Sequence, residues 1–235
     1  MAERRLLIRL WRIALLVAFL LWLYPIGRSS TRIAFVACLI GVWSGVLLLW
    51  RERPWVRVGC FGVFVSVAAT ALLPGRPANP ENLRERFLRA LTTYEGTAYV
   101  WGGENHLGID CSGLVRRGLI DAELKEGVLS FNPVLVRQSF ALRWNDCSAQ
   151  ALLDGHRSQT RRLLEAGNIH QLDYTLIRPG DFAVTADGVH VLAYLGDETW
   201  IEADPEIGKV VRVHASGDNK WLFASVVILR WRSLE

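Results

Sequence analysis

Three long apolar stretches fill most of the first third of the chain, and they restrict its fold more than any other feature. Residues Leu6 to Ile26 are apolar apart from Arg9 and Arg12, whose long stems can carry their charge to a headgroup region. Ile33 to Trp50 and Val58 to Gly75 are each 18 residues with no charge at all. About 18 apolar residues is the lower limit for a helix that crosses a bilayer. These runs are apolar on every side, whereas the helices of a soluble bundle keep a polar outer face. Three transmembrane helices are therefore expected, with the lipid bilayer as a partner. Three in succession also argue against a cleavable signal peptide as the account of the first.

The arginines orient these spans, because positively charged flanks are retained in the cytoplasm. The N-terminus and the second loop carry Arg4, Arg5, Arg9, Arg12, Arg51, Arg53 and Arg57, against Arg28, Arg32 and Arg76 on the opposite side. This bias predicts a multi-pass cell-membrane protein with everything after Pro74 outside. The net charge of +4 conceals a division: residues 1–76 hold 10 Lys+Arg and 2 Asp+Glu, residues 77–235 hold 17 and 21. An acidic folded part has no phosphate-neutralising surface, so nucleic acid is excluded as a partner. Pro74 to Asn79, rich in Pro and Gly, marks the boundary between a membrane domain, 1–76, and a second domain, 77–235. Six residues at about 3.3 Å each reach no more than roughly 20 Å, which keeps the second domain close to the bilayer. Asn79 then caps a helix with Pro80 in its first turn and an apolar stripe of Leu83, Phe87, Leu88 and Leu91.

Within the second domain the informative stretch is Tyr99 to Val115, YVWGGENHLGIDCSGLV. Cys111 follows a turn-forming run and opens an apolar segment that suits a helix ending near Asp121. A thiol at a helix N-terminus meets free N–H groups and the positive end of the helix dipole, which favour the thiolate. Cys111 is thus a candidate nucleophile, with Asp110 as the helix cap. The four cysteines form no disulfide framework, since Cys38 and Cys60 lie in apolar runs and Cys111 and Cys147 are far apart. No spacing of Cys and His suggests a metal, and nothing calls for a cofactor. His106, Cys147 and His156 read as structural or solvated residues.

Tyr99-Val100-Trp101-Gly102-Gly103 followed by Asp110-Cys111-Ser112-Gly113-Leu114-Val115 resembles the nucleophile motif of the NlpC-type family of papain-like cysteine peptidases, which cut bacterial cell-wall peptides. The resemblance covers roughly residues 80 to 213. It implies a cysteine peptidase acting on peptidoglycan, with cell-wall peptides as partners; protein partners are not indicated. It also implies that Tyr99 lies near the developing oxyanion and that Asp110 and Ser112 contact the substrate's ends. The gap between Cys111 and the family's histidine is longer here than usual, and residues 122–176 are expected to be a helical insertion that shapes the cleft, with helical patterns at Cys147–Leu153 and Arg161–Ala166.

Strand signals take over from Asp181: Phe182–Val184, Val189–Leu195, Trp200–Ala203, Val210–Val213 and Leu222–Trp231, divided by Gly, Asp and Asn. Helices followed by antiparallel strands predict an α+β fold, here a papain-like domain behind three transmembrane helices. Of the five histidines only His190 lies centrally in a strand, and it matches the family's base. A base needs a partner that holds its tautomer and orientation. In a hairpin, His190 opposite Glu202 centres the turn on Gly196, and His190 opposite Asp204 centres it on Asp197. Both are odd loops, so parity admits either carboxylate, whereas a two-residue Gly-Asp loop would set His190 against Ala203. The family usually carries a polar residue, often histidine, at the position of Glu202, so Glu202 is the preferred third residue and Asp204 the alternative. The expected function is a membrane-anchored thiol hydrolase cleaving stem-peptide amide bonds through Cys111, His190 and Glu202. The alternatives are a cysteine amidase or acyltransferase on membrane-proximal substrates, and a non-catalytic cell-wall binding module.

Overall fold

The computed structural model describes residues 2–235. Helices α1 (Ala2–Leu23), α2 (Ser29–Trp50) and α3 (Pro54–Leu72) come first, and all three are long and apolar enough to cross a membrane. Little of their surface is buried within the chain. The first two form a hairpin in which Trp11 donates its indole N–H to Val42 O at 3.1 Å. Gly45 makes room for that indole: a Cβ there would lie 2.3 Å from Trp11 Cδ1. Small residues at such crossings let one backbone approach another helix closely.

Helix α4 (Pro80–Thr93) starts as expected, with the Asn79 side chain accepting from the amides of Glu81 and Asn82. It buries Leu83, Phe87 and Leu91 completely, while Leu88 is half-buried at the edge of the stripe. The two-residue strands β1 (Glu104–Asn105) and β2 (Gly108–Ile109) form a small hairpin ahead of α5 (Cys111–Leu129). That helix runs two turns past Asp121, because its second half packs on α6 (Pro133–Trp144). A short helix, α7 (Ala149–Leu153), is capped by Ser148.

The sheet comprises β3 (Thr160–Ala166), β4 (Phe182–Thr185), β5 (Val191–Gly196), β6 (Thr199–Asp204), β7 (Lys209–His214) and β8 (Val226–Trp231). Their order is β3-β8-β4-β5-β6-β7, antiparallel throughout. Phe182, Val184, Val191, Ala193, Ile201 and Leu229 face α4 and α5. The alternate residues Ala183, Leu192, Trp200 and Ile228 pack under the 3₁₀ turns at 169–171 and 220–223. With both faces covered, β4, β5 and β8 are mostly apolar and buried, whereas the edge strands β3 and β7 keep charged, exposed residues.

Two elements differ from expectation. Arg161–Ala166 is strand rather than helix, so the 122–176 segment is not wholly helical. Its register against β8 (Thr160↔Trp231, Ala166↔Val226) supplies pairing from a strand about 60 residues away, which outweighs local propensity. Leu222 belongs to a 3₁₀ turn, and the last strand begins only at Val226.

The three N-terminal helices are not merely tethered to the rest. The α1–α2 loop pairs with the segment that leads to Cys111: Gly27 N donates to Gly102 O at 3.0 Å and Glu104 N to Pro25 O at 2.9 Å. Arg32, in the first turn of α2, donates to Glu104 Oε1 at 2.8 Å, and Arg116 of α5 pairs with the same oxygen. Arg143 lies 3.4 Å from Glu104 Oε2. Arg32 stands on the side where the charge bias predicts few arginines, and this buried carboxylate is its partner.

Candidate active site

Cys111 is the first residue of α5, and Asp110 caps the helix by accepting from Gly113 N at 2.6 Å. Asp110 also accepts from Gly102 N at 2.8 Å, which closes the turn onto the helix start. Gly113 is required there, since a Cβ would lie 2.4 Å from Gly103 O. The sulfur therefore emerges from a rigid backbone knot that the Gly-Gly and Asp-Cys-Ser-Gly residues make possible.

The electrostatics depart from the expectation of a thiolate favoured by the helix end. Burial, reinforced by the Asp110 carboxylate, pushes the Cys111 thiol up to about 12, against smaller opposing contributions from the backbone amides of Ser112, Val191 and Cys111. Its S–H is directed at Val189 O, 3.9 Å away. The sulfur thus lies against the backbone on both sides of His190, between the Val189 carbonyl and the Val191 amide.

His190 sits just before β5 and not centrally within a strand as expected, because its amide is taken by Thr185 Oγ1 at 2.9 Å and the strand begins only at Val191. Its Nε2 meets Glu202 Oε2 at 2.5 Å, with the two side chains 2% and 0% exposed. Burial raises the Glu202 carboxyl above the usual range, and the bond to His190 opposes this. The pairing arises differently from the expected odd loop. The β5–β6 connection is a two-residue turn, Asp197-Glu198, both residues at positive φ. A bulge between Tyr194 and Gly196 absorbs the extra residue, so that Ala193 faces Ile201 and Tyr194 faces Trp200. Continued to His190, this register sets it level with Asp204, and the contact with Glu202 is diagonal on the same face. Asp204 is occupied elsewhere: it accepts from the amides of Glu206 and Ile207 at 2.6 and 3.1 Å and from Asn219 Nδ2 at 2.8 Å.

A cleft of about 310 Å³ opens over Cys111, lined by Tyr99, Trp101, Asp110, Ser112, Cys147 and Val189 among others. Burial and then the nearby Cys111, Asp110 and Asp204 push the Tyr99 hydroxyl up to about 12. Ser112 Oγ lies 3.1 Å from both Asp110 Oδ1 and Cys147 O. Asp110 is raised by burial, against the hydrogen bonds from Gly113, Gly102 and Ser112. All three residues expected to contact substrate therefore reach the cleft, although Asp110 is committed to the turn. Cys147 is buried, and it borders the cleft rather than lying apart from it. His106 is exposed, as expected of a solvated loop residue, with one ring face stacked on Tyr94 at 4.1 Å, and His156 is buried beside Trp231.

Sequence reasoning missed Trp221, whose ring stacks on His190 at 4.0 Å and 13°. Nothing local marks it, since it approaches from a turn 31 residues further along the chain. It also missed Asp146, which lines the cleft from the start of the segment before α7 with its side chain 67% exposed. Among the described residues no group of His, Cys, Asp and Glu is arranged to hold a metal.

Solved structures resemble the chain at low identity. NlpC1 from Trichomonas vaginalis is 19% identical, with 67% of this chain and 46% of that chain covered and a TM-score of 0.42. The peptidoglycan hydrolase RipB from Mycobacterium tuberculosis is 20% identical, with 68% and 69% covered and a TM-score of 0.39. The NlpC/p60 domain of the peptidoglycan hydrolase SagA is 20% identical, with 61% and 97% covered and a TM-score of 0.32. The chain spans about half the length of the two Trichomonas vaginalis proteins it matches. No curated protein matches the chain. Residues 96–228, more than half of the sequence and including the cysteine motif, His190 and Glu202, match the NlpC/P60 family; the chain belongs to that family of papain-like cysteine peptidases, the cell-wall hydrolases.

Proposed function

We propose that this is a membrane-anchored thiol hydrolase that cleaves an amide bond in peptidoglycan stem peptides, with residues 1–76 as membrane domain and 77–235 as an outward-facing catalytic domain. The observation that carries this reading is the buried His190–Glu202 pair, set where the Cys111 sulfur abuts the backbone flanking His190. With Nε2 held by Glu202, Nδ1 is the nitrogen left to take a proton. In this reading the Cys111 thiol gives up its proton to that nitrogen. The thiolate attacks the scissile carbonyl, and the oxyanion is met by the Cys111 amide and the Tyr99 hydroxyl. Collapse returns the proton from His190 to the departing amine and leaves a thioester on Cys111. Water, deprotonated by His190, then releases the acid and the free thiol. Glu202 stabilises the imidazolium in both halves. The high resting thiol pKa fits this order of events: the charge forms when substrate supplies the oxyanion, not before.

Purified muropeptides test the assignment: Cys111→Ala and Cys111→Ser should abolish cleavage with the fold intact, and full activity in the alanine variant would refute it. A second reading, acyl transfer to a membrane-proximal acceptor, is favoured by the close docking of the catalytic part on the α1–α2 loop. Product masses separate the two, because hydrolysis adds water and transfer adds an acyl group to a second molecule.

A further inference from the structure

The segment expected to shape the cleft also faces the membrane helices. Helix α6 is fastened to the end of α3 by Arg137, whose Nη1 donates to Thr70 O and Leu73 O, both at 2.8 Å. Phe140 and Trp144 project from α6 with 63% and 52% of their surface exposed. Trp22 and Tyr24, at the end of α1, are exposed as well, and all four aromatic side chains line the same groove. Aromatic residues prefer the depth where headgroups meet acyl chains.

Between the α1–α2 hairpin and α6 lies a groove of about 200 Å³. Its lower wall is apolar, with Leu21, Val36 and Leu39 from the helices that are long enough to span. Its upper end holds Arg32 and Arg143. With Arg116 these make three guanidinium groups around the one buried carboxylate of Glu104; Asp146, 3.7 to 3.9 Å from two of them, is largely in solvent. Arg143 has only a long contact to a carboxylate that two other arginines already engage. Arg32 is 7% exposed, and its Nε has no hydrogen-bond partner among the described residues. A positive excess with an unused buried donor, placed at the head of an apolar slot, is complementary to an amphiphile with an anionic head.

We propose that this groove binds one anionic membrane glycerophospholipid, an acyl chain lying along α2 and the phosphate accepting from Arg143 and Arg32. The inference goes beyond the hydrolase reading and rests on α1 to α3 being membrane spans. A zwitterionic lipid is disfavoured because its ammonium would be brought toward the guanidinium groups. The occupied groove adjoins Glu104, which lies in β1 of the small hairpin before Cys111 and pairs with Arg116 of the nucleophile helix, so the lipid is seated against the support of the active site.

The full chain, extracted in detergent and loaded with equal amounts of phosphatidylglycerol and phosphatidylcholine of matched chains, tests this by native mass spectrometry. Phosphatidylglycerol should be retained over phosphatidylcholine by about tenfold or more, as expected for a charge-assisted contact sheltered from water. Arg143→Gln should reduce that preference to near one. Val36→Trp, which fills the apolar wall, should lower retention of both lipids, and Arg89→Gln on the remote face of α4 should change neither. Equal retention of the two lipids, or an unchanged preference in Arg143→Gln with Val36→Trp also silent, overturns the site. Displacement of phosphatidylglycerol by equimolar glycerol phosphate overturns it in favour of a soluble phosphate ligand. A chain that leaves the membrane fraction without detergent overturns the spanning reading itself, whereas a detergent-dependent chain with no lipid preference overturns only the groove.

Discussion

Replacing Glu202 by Gln preserves side-chain size and removes a charge from the most enclosed polar pair in the molecule. The Nε2–Oε2 separation is 2.5 Å and neither side chain meets solvent, so bulk water does little to dilute the interaction. A charge-assisted hydrogen bond in such surroundings is worth about 1.5–3 kcal/mol. At about 1.4 kcal/mol per factor of ten, kcat/KM for stem-peptide cleavage should fall roughly ten- to 150-fold. The loss should appear in kcat, because Glu202 stabilises the positive charge that His190 gains in taking the thiol proton. Stability should move the other way or not at all. Burial holds the Glu202 carboxyl above its usual range, so in the folded state the charge is the disfavoured form. A carboxyl raised in this way contributes stability that is lost as pH climbs through its folded value, and Gln escapes that loss. Asp204→Asn is the matched control: it weakens a turn cap and the Asn219 contact, so it should lower the melting temperature while the folded fraction keeps its kcat. The reasoning is refuted if Glu202→Gln retains kcat/KM within about twofold while Asp204→Asn loses it.

Three further outcomes follow from buried charge. Glu104→Gln leaves Arg32 and Arg116 enclosed without their carboxylate and should destabilise the full chain in detergent by about 3–5 kcal/mol, read from the shift in unfolding; an unchanged midpoint would show that the three arginines need no counter-charge. Glu123, 4% exposed on α5, has its carboxyl pushed up by burial from 4.5 to about 8. Stability should therefore decline between about pH 4.5 and 8, by up to roughly 1.4 kcal/mol per pH unit, and Glu123→Gln should flatten the profile. With the Cys111 thiol near 12, its alkylation by iodoacetamide in the absence of substrate should keep rising beyond pH 9; a plateau below pH 8 would mean that the ion pair already exists at rest.

Much of this architecture is legible in the residues. Long apolar runs locate α1 to α3, Asn79-Pro80 starts α4, and the Asp-Cys-Ser-Gly string sets Cys111 on a helix start, with Asp110 as cap and Gly113 where a Cβ would meet Gly103 O. Strand parity admits Glu202 and Asp204 alike as partners of His190, and only the family resemblance prefers Glu202; the face they share is kept by a bulge at the β5 end in place of the odd loop. What the residues hide is non-local. Arg161–Ala166 contains good helix formers and becomes a strand because the C-terminal β8 offers it an edge. Trp221 reaches His190 from a distant turn, and the thiol's raised pKa follows from enclosure by elements that no local window contains. Arg32, which counts against the charge bias of the loops, is explained only once Glu104 is seen beside it.

The central claim is that the sulfur of Cys111 becomes covalently bonded to the acyl half of the substrate. Intact-mass measurement after acid quench of a single turnover, followed by peptide mapping, examines that bond itself. The account predicts a transient adduct equal in mass to the acyl fragment, carried on the peptide containing Cys111 and longer-lived in Glu202→Gln. Cleavage that proceeds with no adduct at any quench time, and continues in Cys111→Ala, would contradict it.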